Sequence, residues 1–287
     1  MEIPKHIEQF RKELVFKKYR PNTIEVYISN VTGFLYHFQG KRTEAKKINE
    51  SDIKEFLSQF KEQNTQRSYH SAIKKFFHYV LKQPNKFKYI EYCKRNRKLP
   101  IVLSVEEVQR IIFACSNLKH KTILCLMYST GVRVGEVISL KISDIDSSRM
   151  VINIQDAKGG KDRQVTLDPL LLELLRVYFK QYRPNEYLFN GQKSPQYTES
   201  SIRQFLQKYA DLAGIKKRVY PHLLRHCNAT HLLEAGTDMS IIQRLLGHQS
   251  IKTTQGYSHI SNNLISRLRT PLQSIIDKTN ILSIGEK

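Results

Sequence analysis

The chain has 287 residues, enough for one large domain or two ordinary ones that each bury a core. Its 47 lysines and arginines exceed its 26 acidic residues by 21, which favours nucleic acid as partner over a membrane surface. No apolar run is long enough to span a bilayer and no signal peptide is recognisable, so we expect a cytoplasmic, nucleoid-associated protein. The four cysteines lack paired spacing, which predicts buried thiols and neither disulfides nor a zinc site.

The first part of the chain is predicted to form a compact unit of four helices. Apolar side chains at helical spacing place these helices in residues 4–17, from Pro21, from Ser51 and in residues 64–82. The polar faces are rich in lysine and arginine, and such faces are suited to a DNA groove. We therefore expect a DNA-binding helical domain over residues 1–92.

A short basic segment follows the helical unit. Residues 93–100 carry four cations and end in Pro100, a pattern typical of a solvated linker. The same cations are candidates to lie along DNA phosphates: Lys94, Arg95, Arg97 and Lys98. The two interpretations are compatible.

The rest of the chain is predicted to be mainly helical with one β-hairpin. Ser104 and Glu107 form a capping box that begins a helix, and Gly131 is expected to end the next one. Arg133 is then expected where the backbone turns into a further helix. Two strands and four more helices are predicted in residues 150–154, 163–167, 169–182, 198–213, 221–235 and 238–246.

One helix carries a cluster of candidate functional side chains. His222, Arg225 and His226 are spaced to share one face of the helix predicted in residues 221–235. Two histidines four residues apart also suit a metal, but a metalloprotease helix needs glutamate directly after the first, and here that residue is Leu223. We therefore predict no metal site.

The hairpin turn and a late tyrosine supply further candidates. The turn Lys158-Gly159-Gly160-Lys161 lacks the earlier glycine of a nucleotide-binding loop, because that position is Gln155. It is therefore expected to present lysines from a hairpin tip. Tyr257 follows His248 by nine residues, and a phenol is a nucleophile when a base and nearby arginines stabilise its anion.

These motifs, taken in order, resemble the tyrosine recombinase family, which includes phage integrases and Xer proteins. The resemblance rests on His222-x-x-Arg225-His226, Ala229-Thr230-His231-Leu232-Leu233, Leu246-Gly247-His248 and Thr253-Thr254-Gln255-x-Tyr257. It covers essentially the whole chain and implies a mainly α two-domain fold with a small β-sheet. The implied parts are a SAM-like core-binding domain (1–92), a basic linker (93–100), a catalytic domain (101–270) and a tail (271–287) that docks on a neighbouring protomer.

The resemblance also implies a role for each site residue. The implied catalytic residues are Arg133, Lys158, His222, Arg225, His248 and Tyr257. Supporting roles fall to Glu136 and His226. Tyr257 is the implied nucleophile, in its own protomer or in a neighbouring one, and Lys158 is favoured over Lys161 as proton donor to the leaving oxygen. The chain departs from the family pattern at Cys227, where a small hydroxyl residue is more usual, and at Gly256, often a bulkier residue.

The implied activity is cutting and rejoining of DNA strands through a 3′-phosphotyrosyl link. Because that link conserves bond energy, the reaction needs no metal, ATP or other cofactor. The implied partners are double-stranded DNA with a short inverted-repeat site and three further copies of the chain in a tetramer. Whether the reaction also requires an accessory protein or a second recombinase stays open. Two other functions stay open as well: a type IB topoisomerase-like activity and a non-catalytic DNA-binding accessory role.

Overall fold

The computed structural model of the chain describes residues 2–93, 101–155, 162–192 and 194–247. These residues fall in two units, one within Met1–Lys98 and one within Leu99–Lys287, and each unit buries its own apolar core. In the described ranges, every helix is too short or too polar to cross a bilayer. The four candidate linker cations, Lys94, Arg95, Arg97 and Lys98, lie outside those ranges, so the linker and its boundaries stay predictions.

The first unit contains the four helices that the sequence predicts. They are α1 (Ile3–Phe16), α2 (Pro21–His37), α3 (Glu50–Ser58) and α4 (Gln63–Tyr79). Short 3-10 turns follow α2 and α4, at Ala45–Lys47 and Pro84–Phe87. A capping box begins α3, because the Asn49 side chain accepts from the Asp52 N–H and the Asp52 carboxylate accepts from the Asn49 N–H. The α4 helix ends at Tyr79, short of the predicted residue 82.

The core of the first unit is built from aromatic rings. Phe10 of α1 meets Phe76 of α4 edge to face, with ring centroids 5.7 Å apart. Phe34 of α2 meets Phe77 of α4 in the same way at 6.2 Å. All four rings are completely buried. Rings of this size bury enough apolar area to hold α1 and α2 against α4.

The second unit contains seven helices in its described part. They are α5 (Val105–Ala114), α6 (Leu118–Thr130), α7 (Val134–Ser139), α8 (Pro169–Tyr182), α9 (Glu199–Leu212), α10 (Pro221–Glu234) and α11 (Met239–Leu246). A short 3-10 turn, Ile142–Asp144, follows α7. The capping box of Ser104 and Glu107 is present as predicted. The predicted helices are confirmed, and their ends differ from the predicted ones by at most about a residue.

A small antiparallel sheet lies between α7 and α8. Its strands are β1 (Ile145–Asp146), β2 (Val151–Ile154) and β3 (Arg163–Thr166), in that spatial order. Ile152 lies opposite Ile145 on one side and Val165 on the other. The predicted hairpin strands are confirmed, whereas β1 was not predicted. Two residues are too few to show an alternating pattern, so β1 exists through its pairing with β2.

Two of the four cysteines are buried as expected, Cys115 and Cys227. The prediction is wrong for the other two, because Cys93 and Cys125 are partly exposed. The thiol of Cys227, a residue of α10, is buried and accepts a hydrogen bond from the Leu103 N–H at 3.3 Å. A serine hydroxyl could accept the same bond, so Cys227 replaces the usual hydroxyl residue without losing the contact.

Candidate active site

Arg225 is buried within the second unit, with 1% of its surface exposed. Its two terminal nitrogens donate to the carbonyls of Gly131 and Leu246, at 2.6 and 2.5 Å. Gly131 closes α6 and Leu246 is the last residue of α11. Because carbonyls at helix C-termini carry partial negative charge, these two helix ends stabilise the buried guanidinium.

The position of Gly131 requires glycine for two reasons. Its φ is +62°, in the left-handed region that glycine adopts without strain. A Cβ atom there would lie 2.6 Å from the Asn228 Oδ1 and 2.7 Å from a Leu246 methyl carbon. The side chains of α10 and α11 therefore pack directly on the turn whose carbonyl holds Arg225.

Arg133 is fixed at the beginning of α7, where the sequence predicts it. Its backbone N–H donates to the Glu136 carboxylate at 2.8 Å, and its side chain donates to the same carboxylate at 2.8 Å. Its other terminal nitrogen makes a longer contact, 3.5 Å, with the Gly247 carbonyl. Glu136 thus caps α7 and holds the Arg133 guanidinium by a hydrogen bond.

Arg163, at the start of β3, is a second partner of Glu136 that the sequence analysis missed. Its two terminal nitrogens donate to the two carboxylate oxygens at 2.9 and 2.7 Å, and its Nε donates to the Leu245 carbonyl at 2.9 Å. Strand alternation was the available signal. Arg163 lies on the same face of β3 as the buried Val165, so it is directed to the core.

The Glu136 carboxylate is ionised in spite of its burial. Burial alone would raise its pKa, but the hydrogen bonds and charges of Arg163 and Arg133 outweigh burial and lower the pKa to about 2. One negative charge is therefore shared between two guanidinium groups at neutral pH. The three side chains together carry a net charge of about one positive unit.

Two histidines of α10 lie beside the arginines. The rings of His222 and His226 meet edge to face, with centroids 4.4 Å apart. Burial, His222 and Arg225 lower the pKa of His226 to about 4. The pKa of His222 is lowered too, first by partial burial of its ring and then by the charges of Arg225 and Arg133, although the residue taken as a whole is exposed. Both imidazoles are therefore mainly neutral at pH 7, and a neutral imidazole is able to accept a proton.

The structure brings together five of the predicted site residues: Arg133, Glu136, His222, Arg225 and His226. Four others lie outside the described residues: Lys158, Lys161, His248 and Tyr257. In the sequence, His248 directly follows the Gly247 carbonyl that Arg133 contacts. The described part is a cationic site with neutral imidazoles, suited to binding an anion and removing a proton.

The chain matches two family models. The phage integrase family matches residues 102–263, and the N-terminal SAM-like domain of phage integrases matches residues 7–86. A tyrosine recombinase of Thermosipho africanus is 31% identical over 278 residues, which cover 91% of this chain and 96% of that protein. A Sinorhizobium fredii protein named as an integrase/recombinase is 45% identical over 181 residues, but these span only 59% of its length and 63% of this chain.

Solved structures with the same fold include two recombinases with DNA. The XerH site-specific recombinase bound to its palindromic difH substrate is 26% identical, with a TM-score of 0.71 over 85% of this chain and 78% of that one. A lambda integrase dimer bound to a core site has a TM-score of 0.72 over 88% of this chain and 97% of that one. Its identity is 18%, so this second likeness concerns the fold alone.

Proposed function

Because the chain belongs to the phage integrase family of tyrosine recombinases, enzymes that cleave and rejoin DNA, we propose that it exchanges DNA strands at a specific site. The observation that carries this proposal is the pair of arginines held at one end of α11 beside a neutral histidine. Planar guanidinium groups are suited to the two non-bridging oxygens of a phosphodiester.

The proposed reaction begins with attack by the Tyr257 hydroxyl oxygen on the scissile phosphorus. The phenol has an ordinary pKa near 10, so ionising it at pH 7 would cost about 4 kcal/mol. We assign acceptance of its proton to His222, which is exposed and mainly neutral. Attack forms the bond between phosphorus and the tyrosine oxygen and breaks the bond to the 5′-oxygen, leaving a 3′-phosphotyrosyl link.

The leaving 5′-oxygen needs a proton, and we assign its donation to Lys158, with Lys161 as the alternative donor. His248 is assigned to the transition state as a further hydrogen-bond donor. Arg133 and Arg225 stabilise charge that grows on the non-bridging oxygens, and losing one such donor costs about 3–4 kcal/mol. Attack by the 5′-hydroxyl of a partner strand reverses the step and completes the exchange, which needs no ATP because bond energy is conserved.

The proposed substrate is double-stranded DNA with a short inverted-repeat site. The net charge of +21 supports a polyanionic partner. The XerH relative is bound to a palindromic substrate, and a lambda integrase tetramer is bound to a Holliday junction. We accordingly propose that four copies act on two duplexes, in the cytoplasm on nucleoid DNA. The docking of residues 271–287 on a neighbouring copy is part of this proposal.

The test is capture of a covalent intermediate on nicked DNA. A pool of nicked duplexes with random sequence around the nick is incubated with the protein in EDTA, and SDS-resistant adducts are recovered and sequenced. A fragment released at the nick diffuses away, so the intermediate accumulates. We expect recovery of one short inverted-repeat sequence, and loss of the adduct in Tyr257→Phe but not in Tyr36→Phe, an exposed tyrosine.

Three outcomes would overturn parts of the proposal. The absence of any adduct would overturn the enzymatic function. An adduct that persists in Tyr257→Phe would overturn the choice of nucleophile. Adducts on unrelated sequences, together with relaxation of arbitrary supercoiled DNA, would replace site-specific exchange with topoisomerase-like activity.

A further inference from the structure

We infer that Arg163 is a positioning residue of the active site. It pairs with the Glu136 carboxylate, so that this carboxylate does not cancel the positive charge that Arg133 presents to the scissile phosphate. The inference rests on the proposed function. It assigns a role to a side chain that is not among the site residues implied by the family resemblance.

The first argument is the number of hydrogen bonds at the carboxylate. One oxygen of Glu136 accepts from the side chains of Arg133 and Arg163, at 2.8 and 2.9 Å. The other accepts from the Arg133 backbone N–H and from Arg163, at 2.8 and 2.7 Å. A carboxylate has about four acceptor positions, so these four donors fill it. Neither arginine is able to take over the whole carboxylate.

The second argument is charge. With Arg163 present, two guanidinium groups and one carboxylate leave a net positive charge beside the site. Without Arg163, Arg133 and Glu136 would form a neutral ion pair. The carboxylate would then cancel much of the field that Arg133 offers to a phosphate. Arg163 and Glu136 are each only 8% exposed, so water screens this interaction weakly.

The third argument is the contact of Arg163 with the end of α11. Its Nε donates to the Leu245 carbonyl, and its stem packs on Gly247, where an added Cβ would lie 3.0 Å from the Arg163 Cδ. The next carbonyl, that of Leu246, accepts from Arg225. One side chain therefore connects β3, α7 and the end of α11, and these segments hold both catalytic arginines.

The test compares variants of Arg163 on the DNA recovered as a covalent adduct. We expect Arg163→Met to lower the single-turnover rate of adduct formation about tenfold to a hundredfold, by analogy with the loss caused by removing a side chain that orients a metal ligand. DNA affinity should change by no more than about twofold, because the effect is on the chemical step. Arg163→Lys restores charge without the two-pronged contact and should recover only part of the rate. Arg176→Met removes an exposed arginine of α8 and is the control that keeps the wild-type rate.

A second substitution separates charge sharing from a merely structural role. Glu136→Gln removes the negative charge, while glutamine still accepts a hydrogen bond from the Arg133 N–H. In the Arg163→Met background this change should raise the rate of adduct formation several-fold, because no carboxylate is left to cancel the charge of Arg133. If Arg163 only holds the fold together, the double variant will be slower than Arg163→Met, since a second buried contact is lost.

The outcomes distinguish this inference from the proposed function. If the wild-type protein forms no adduct, the proposed function fails, and this inference fails with it. If the wild type forms the adduct and Arg163→Met forms it at the same rate, the inference alone is overturned. A double variant slower than the single one also overturns the charge-sharing role.

Discussion

Arg133 and Arg225 are bound by consecutive carbonyls at the end of α11. Arg133 makes its longer contact with Gly247, and Arg225 donates to Leu246. The Arg225 side chain is buried, whereas 27% of the Arg133 side chain is exposed. One helix end therefore sets the spacing of two guanidinium groups, and that of Arg225 also joins the ends of α6 and α11.

This difference in burial predicts different effects of the same substitution. Arg225→Lys replaces a fork that reaches two carbonyls with a single ammonium group. We expect a loss of about 1.5–3 kcal/mol in the free energy of unfolding, the value of one buried charged hydrogen bond. Arg133→Lys should cost less stability. Both variants should lose adduct formation by hundreds-fold or more, because neither lysine matches two phosphate oxygens. Urea unfolding followed by circular dichroism and single-turnover cleavage measure the two effects, and equal stability of the two variants would contradict this prediction.

Gly131 and Gly236 form a matched pair of glycines for testing how closely the side chains of α10 and α11 pack on the end of α6. Both have positive φ, +62° and +90°, but only Gly131 has side chains within contact range of an added Cβ. We expect Gly236→Ala to cost about 1–2 kcal/mol from backbone strain alone. Gly131→Ala should cost more, because Asn228 and Leu246 must also move. Activity should fall only in Gly131→Ala, since the Gly131 carbonyl holds Arg225. Similar stability losses in the two variants, measured by thermal unfolding, would argue against the packing contact.

His226 should make the free energy of unfolding depend on pH between about 6.5 and 4. The pKa of His226 is lowered from 6.5 to about 4 in the folded state, so the unfolded chain binds more protons between these values. The free energy of unfolding should therefore decrease as pH falls from 6.5 to 4, by up to about 1.4 kcal/mol per pH unit. His226→Gln should flatten this dependence.

Glu136 contributes in a separate window, because its folded pKa is about 2 against an ordinary 4.5. Its stabilisation is present above pH 4.5 and is lost as pH falls towards 2. Urea unfolding of wild type and His226→Gln at pH 7.5, 5.5 and 4.5 tests the assignment to His226, and the same measurement at pH 4.5, 3.5 and 2.5 tests that to Glu136. An unchanged slope between pH 6.5 and 4.5 in the variant would show that His226 is not the titrating group.

The cysteines should differ in their reaction with iodoacetamide. Burial raises the pKa of Cys125 and Cys227 from 9 to about 11, which lowers the thiolate fraction about a hundredfold. Cys93 is partly exposed and should be alkylated first at pH 8. Mass spectrometry of the digested protein measures each rate, and denatured protein, in which all four cysteines should react alike, is the control. Labelling of native Cys227 as fast as Cys93 would contradict its burial.

Much of the fold could be predicted from the sequence because the signals are local. Apolar spacing located the helices, and the capping box at Ser104 and the glycine at 131 located two of their ends, because a capped N–H or a positive φ depends on residues only a few positions apart. Strand β1 was missed because two residues carry no periodicity. The partial exposure of Cys93 and Cys125 was missed because composition does not reveal which face a residue occupies.

The chemical groups of the candidate site were also present in the sequence as an ordered set, from Arg133 to Tyr257. What only the tertiary structure decided is how the described groups, Arg133, Glu136, His222, Arg225 and His226, are held. Arg163 bonds to Glu136 and Arg225 to the end of α6, across 27 and 94 positions of the chain. Such contacts leave no local pattern, because each depends on where the chain returns after other elements have packed. The sequence by itself therefore determined which groups are available, and packing determined their charge state and orientation.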